Sequence, residues 1–193
     1  FENAKAANNN CIAIYGAMAM SSHIHYVVGD LLAKRSLFMQ SAMSGTAKAR
    51  NHNLKRDGHF WGSGSYGDTV LLDRDAMERK LIYTWLNPVA AGLVKRVKDW
   101  PGFKVLPEDW GKKIEIERPE SFYGRKSPSK VVLRPLSPPG YEDMTLEEVK
   151  AYFEEKIKQG EKEIARQRRR QNLNFSGITK VKSMEPTYSP ERE

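Results

Sequence analysis

Met20-Ser21-Ser22-His23-Ile24-His25-Tyr26-Val27-Val28 is the stretch from which the fold is read. Ser21-Ser22 is a polar break, and the residues after it are rich in β-branched and aromatic side chains, so a strand is predicted over 23–28. On a strand, side chains alternate between faces. His23 and His25 therefore share one face, and Ile24 points the other way, toward a core. Upstream, residues 11–20 form an apolar run long enough for a strand covered on both faces. The two strands are predicted to pair as an antiparallel hairpin with the histidines just past its turn. Residues 1–7 read as the tail of a helix stopped by Asn8-Asn9-Asn10.

Downstream of Gly29-Asp30, helical spacing is expected over 31–54, with Leu32, Phe38, Met39, Ala42, Met43 and Ala47 as its apolar stripe. Its end is basic: Lys48, Arg50, His52, Lys55 and Arg56. Phosphate contact and a solvated charged face explain those residues equally well. Residues 57–68 alternate glycine with Phe60, Trp61 and Tyr66; aromatics there serve either for stacking on unpaired bases or as core. A short strand is predicted over 69–72. Asp73 is the expected N-cap of the next helix, in which Met77, Leu81, Ile82 and Trp85 keep helical spacing. Tyr83 and Asn87 lie four apart in it and share a face, and Pro88 is expected to kink or end it. Basic Lys95 and Arg96 follow.

Beyond residue 103 the texture changes. Prolines recur from Pro107 to Pro139, and 104–144 reads as a linker or extended wrap with one strand over 130–134. Thr145-Leu146-Glu147-Glu148 is a capping box. A helix is predicted from there to Arg170, with Leu146, Val149, Phe153, Ile157 and Ile164 along one side and Gly160 as an interruption. It ends in Arg168-Arg169-Arg170, which either complement the helix dipole or contact DNA. A loose tail follows from Asn172. The expected organisation is thus a domain over 1–103, a Pro-rich linker over 104–144, and a basic helix with its tail over 145–193.

The 193 residues carry a formal net charge of +8, which favours a polyanionic partner. A single cysteine, Cys11, excludes an internal disulfide, fits a reducing cytoplasm, and reads as a buried small hydrophobe. The longest uncharged apolar run, 11–20, falls well short of the ~20 residues of a membrane span. No membrane partner is expected.

Two imidazoles on one strand face suit a shared divalent ion. A pair of exposed strand histidines explains the same residues, and Tyr83 taken alone could be core. Together, a metal pair, a tyrosine hydroxyl and a further oxygen ligand suit phosphodiester cleavage through a covalent tyrosine intermediate.

His23-Ile24-His25 after an apolar strand, then Gly58-His59-Phe60-Trp61, then Tyr83-Thr84-Trp85-Leu86-Asn87-Pro88-Val89-Ala90-Ala91-Gly92-Leu93-Val94, resembles the REP-associated tyrosine transposases. These are HUH single-strand nucleases similar to the small single-tyrosine insertion-sequence transposases. The resemblance covers about residues 1–103, and the Asn-Pro-Val-x-Ala-Gly-Leu-Val run after a tyrosine is its specific part. It departs at Ser21-Ser22, where the family usually has Pro-Asn, and at the front, where the family's first strand and helix are largely missing. That reads as an N-terminal truncation.

The resemblance implies an α+β, ferredoxin-like (RRM-like) HUH domain with a central antiparallel sheet backed by helices. It implies that His23 and His25 hold Mg²⁺ or Mn²⁺, with Asn87, standing where related enzymes put a glutamine, as third ligand or else as a cap before Pro88. Tyr83 matches the nucleophile, and its attack leaves a 5′-phosphotyrosine and a free 3′-hydroxyl. The implied partner is single-stranded or hairpin DNA, held by Phe60, Trp61 and Tyr66 through stacking and by Arg50, Lys55, Arg56, Lys95, Arg96, Arg168, Arg169 and Arg170 through phosphates. A bacterial, cytoplasmic, nucleoid-associated protein acting as a monomer or homodimer is expected. A non-catalytic or domesticated DNA-binding remnant is the alternative, and an unrelated hydrolase using His23 and His25 is a third reading.

Overall fold

A computed structural model describes residues 1–63, 66–120, 122–123 and 127–183; Gly64 and Ser65 of the glycine-rich run and residues 184–193 of the tail lie outside the described residues. The chain is α+β. Its described elements are α1 (Glu2–Asn9), β1 (Ala13–Ala19), β2 (Ile24–Gly29), α2 (Arg35–Leu54), α3 (Arg74–Ala90), β3 (Lys104–Val105), β4 (Ile114–Glu117), β5 (Lys130–Leu133), α4 (Leu146–Arg170) and α5 (Ile178–Ser183). They include two small sheets, one ordered β2-β1-β3 and one pairing β4 with β5. Among the described residues no helix is long and apolar enough to cross a membrane.

The chain divides into two compact units. The first comprises Phe1–Tyr15, Val28–Leu72 and Asp109–Ser137. Here α1 buries Ala4, Ala6 and Ala7 and packs on α2 and β5. It ends in a Schellman cap, with the Cys11 amide on the Asn8 carbonyl and the Ile12 amide on that of Ala7. That cap places Cys11 at φ 55 and exposes it, so the expected buried cysteine is instead a turn residue. The helix α2 starts at Arg35, later than residue 31, because the Asp30 carboxylate accepts from the backbone amides of Lys34 and Arg35, both at 2.8 Å. Leu32 of the expected stripe is left exposed, and only Phe38 and Ala42 of that stripe are fully buried. No strand forms over 69–72, where Val70 and Leu72 face solvent. The β4–β5 hairpin pairs Ile114 with Leu133 and Glu117 with Lys130. Next to it Trp110 is fully buried and donates its indole N–H to the Tyr15 carbonyl. The Pro-rich segment thus carries strands and core side chains.

The second unit comprises Gly16–Val27, Asp73–Glu108 and the described residues from Pro138 onward. The strand β3 pairs antiparallel with β1, Ala17 opposite Val105 and Met18 opposite Lys104. One face of this sheet receives α3, which Asp73 caps by accepting from the Ala76 amide at 2.7 Å. Gly16 is where helix and sheet come closest: a Cβ there would sit 2.7 Å from Leu81 Cδ2 and 3.2 Å from Trp85 Nε1. Trp85 is buried and donates to the Val105 carbonyl at 2.7 Å. The helix α3 ends two residues past Pro88 in a second Schellman cap, with Gly92 at φ 70 as its left-handed residue.

The predicted capping box at Thr145 and Glu148 is present and starts α4. That helix buries Val149, Phe153 and Ile157, whereas Ile164 is half-buried and Leu146 largely exposed. It runs unbroken through Gly160, against which Leu86 of α3 packs, so this glycine is a contact point and not an interruption.

Candidate functional site

The histidine hairpin and α3 converge within the second unit. His23 immediately precedes β2 and is exposed; His25 lies on β2 and is half-buried. Their rings meet edge to face at 4.8 Å between centroids. His25 faces α3, and its Nε2 lies 3.0 Å from the Asn87 side-chain amide. The Tyr83 ring stands 5.5 Å from that of His25, again edge to face. Tyr83 and Asn87 are one helical turn apart, which is why one imidazole reaches both. Tyr83 is 55% exposed and is not core. Ile24 is only half-buried.

Two further residues belong to this cluster. Ser22 Oγ lies 3.0 Å from His23 Nδ1, a contact that engages one ring nitrogen and leaves Nε2 as the other. Lys80, one turn before Tyr83, places its ammonium 5.2 Å from the Tyr83 ring centroid. Burial lowers the His25 pKa, and the charges of His23 and Lys80 lower it further.

These donors can be tested against the expected ion. The Asn87 side-chain nitrogen lies 3.0 Å from His25 Nε2; the opposite amide orientation would present Oδ1 on that side, and a cation on Nε2 would have to enter between the two side chains. Two imidazole nitrogens and one amide oxygen fit a divalent ion that accepts nitrogen, Mn²⁺ better than Mg²⁺. No carboxylate joins them: among the described residues no group of three His, Cys, Asp or Glu is placed to hold a metal. The site thus needs oxygen from water or a substrate phosphate to fill its shell.

The basic and aromatic residues expected to touch DNA are dispersed. Trp61 is half-buried and tied to α2 by its N–H on the Met43 carbonyl at 2.8 Å, with Phe60 against its ring. Tyr66 is half-buried. Arg50, Lys55 and Arg56 are exposed on the first unit. On the second unit Lys95 is exposed, and Arg96 is paired with Asp99 at 3.1 Å. Arg169 and Arg170 are exposed, but Arg168 is engaged internally. Its guanidinium lies against Gly92, donates to the Asn174 carbonyl at 2.7 Å and stacks on Phe175. The Ser176 and Gly177 amides meanwhile bond to the carbonyls of Gly92 and Leu93. A run of three arginines conceals this difference, because only the fold shows which one turns back toward α3.

No family model, curated protein or solved structure shows a significant match to this chain.

Proposed function

We propose that this protein is a divalent-metal-dependent, single-strand DNA endonuclease and transposase of the HUH single-tyrosine class, built on a ferredoxin-like domain. The observation that carries the reading is the meeting of His25 with both Asn87 and an exposed Tyr83, across a long stretch of sequence. A three-stranded sheet with α3 on one face is compatible with that domain type.

In this reading His23, His25 and Asn87 hold Mn²⁺ or Mg²⁺, which supplies Lewis-acid polarisation of the scissile phosphate when bound. Ser22 keeps the His23 ring oriented. Lys80 brings positive charge beside the phenol, where a DNA phosphate would approach. The Tyr83 oxygen attacks phosphorus and gives up its proton. The P–O3′ bond breaks, and the leaving oxygen takes a proton to become a 3′-hydroxyl. The 5′-phosphotyrosine that results keeps the bond energy for rejoining. The substrate is single-stranded DNA, with hairpin-forming DNA as the favoured form.

The test is incubation of the chain with a 3′-labelled hairpin oligonucleotide and Mn²⁺ or Mg²⁺. A covalent protein–DNA adduct that disappears in Tyr83→Phe supports the proposal. Salt-sensitive binding with no adduct in either ion would select the non-catalytic DNA-binding reading, and metal-dependent hydrolysis that Tyr83→Phe leaves intact would select an ordinary hydrolase.

A further inference from the structure

The C-terminal end of α2, in the first unit, carries a groove that the chemistry at Tyr83 does not use. Lys48, Asn51, His52 and Lys55 are spaced three, four and seven apart and so share one face of the helix. With Arg56, Asp57 and Phe122 they line an open groove of about 630 Å³. That lies within the range of about 300–1,000 Å³ typical of ligand sites. Three cations face one carboxylate there, and Arg50, though exposed, is not part of the lining.

The end of a helix is ordinarily a poor place for an anion, because its free carbonyls carry partial negative charge. Here two of them are occupied. The Lys55 amide bonds to the His52 carbonyl at 3.2 Å and the Arg56 amide to that of Asn51 at 3.0 Å, forming a Schellman cap. The left-handed position of that cap, where glycine is usual, is held by Lys55 at φ 48. The chain accepts that strain at the point where a cation enters the groove.

The aromatic wall is supported from behind. Phe1 packs on Tyr123 at 4.9 Å, Tyr123 on Phe122 at 4.8 Å, and Phe122 on the exposed His52 ring at 5.4 Å. Phe122 is therefore held, half-buried, between the rings of Tyr123 and His52. On the groove's helical side, Asn51 is held by its Nδ2, which donates to the Gly58 carbonyl at 2.8 Å. Phosphate-binding cations and a supported ring together match a nucleotide, not a bare anion. An acidic peptide would satisfy the cations but bring no π-face to the ring, and a duplex keeps its base faces stacked and out of reach.

We propose that this groove binds single-stranded nucleic acid, with the backbone on Lys48, Lys55 and Arg56 and one unpaired base against Phe122 and His52. The inference stands on the groove alone and does not require cleavage at Tyr83. The experiment is fluorescence anisotropy of a labelled oligo(dT) with the full chain in EDTA, across a salt series. Phe122→Ala is expected to weaken binding by about tenfold or more, with Phe122→Trp close to wild type. The exposed triple variant Lys48→Gln, Lys55→Gln, Arg56→Gln is expected to reduce the salt slope by about 2, since each phosphate contact contributes about 0.7.

A triple variant with the wild-type slope, equal binding by Phe122→Ala and Phe122→Trp, or displacement of oligo(dT) by polyglutamate as effectively as by unlabelled oligo(dT) would each overturn the assignment. Groove binding without any tyrosine adduct would sink the nuclease proposal and leave this one. A tyrosine adduct with binding indifferent to Phe122 would do the reverse.

Discussion

His25 Nε2 and the Asn87 side-chain amide stand 3.0 Å apart, joining the histidine hairpin to the helix that carries Tyr83. Neither residue has a local reason to meet the other. Their contact orients the imidazole. In the proposed nuclease, Asn87→Ala should weaken Mn²⁺ binding by at least the about 10–100-fold that even outer partners of a metal site cost. Asn87→Asp should strengthen it by adding a charged oxygen ligand. Titration calorimetry with Mn²⁺ checks both, and unchanged affinity in Asn87→Ala together with His25→Ala would remove the site.

Tyr83 is more exposed than buried, and its ring meets that of His25 edge to face. Tyr83→Phe should therefore change folding stability by less than about 0.5 kcal/mol, the usual range for surface positions. Chemical denaturation of the wild type and variant measures this. A large loss would mean that the hydroxyl serves packing, and any loss of activity could then be structural.

Gly16 sits where β1 meets Leu81 and Trp85. Trp85 is fully enclosed and bonded to β3, so it has little room to yield. Gly16→Ala should destabilise the chain by about 1–3 kcal/mol through overpacking. It should also loosen α3 on the sheet and, with it, the approach of Tyr83 and Asn87 to His25. A thermal melt alongside the cleavage assay tests the two effects together.

Glu78 joins α3 to α4 through Tyr152 Oη at 2.6 Å and Lys156 Nζ at 2.9 Å. Burial pushes its carboxyl up, but the bonds from Tyr152 and Lys156 and the lysine's charge outweigh this and leave it below the usual range. A carboxyl whose pKa is lower in the folded than the unfolded state adds stability above the unfolded value, about 4.3, and loses it as pH falls through the folded value. Glu78→Gln should cost about 1.5–3 kcal/mol near neutral pH, the worth of hydrogen bonds to a charged group. Its deficit should shrink as pH drops through the acid limb. Urea melts at neutral pH and at about pH 3 compare the two conditions, and a pH-independent deficit would contradict the assignment.

Local patterns were legible in the sequence wherever they are enforced by neighbours along the chain. The Asp73 cap, the Thr145–Glu148 box and the β1–β2 hairpin were all readable, because caps and turns act over three or four residues. The two-residue strand β3 and the hairpin partner β4 were not, since neither has a period long enough to detect and both exist only by pairing with distant strands. Phe122 was likewise missed: it lies among prolines and charges, and only its packing on Tyr123 and His52 gives it significance.

By itself, the sequence determined that Tyr83 and Asn87 share a helix face, because helical periodicity requires it; His23 falls just before β2, so its meeting with His25 was not fixed by strand alternation. Tertiary structure decided that His25 looks at that helix face, that Ser22 and Lys80 join the cluster, and that Arg168 turns inward while Lys48 and Lys55 line an open groove. Such pairings depend on which apolar surfaces are buried across long chain separations, here Gly16 against Leu81 and Trp85, and no local pattern encodes that choice.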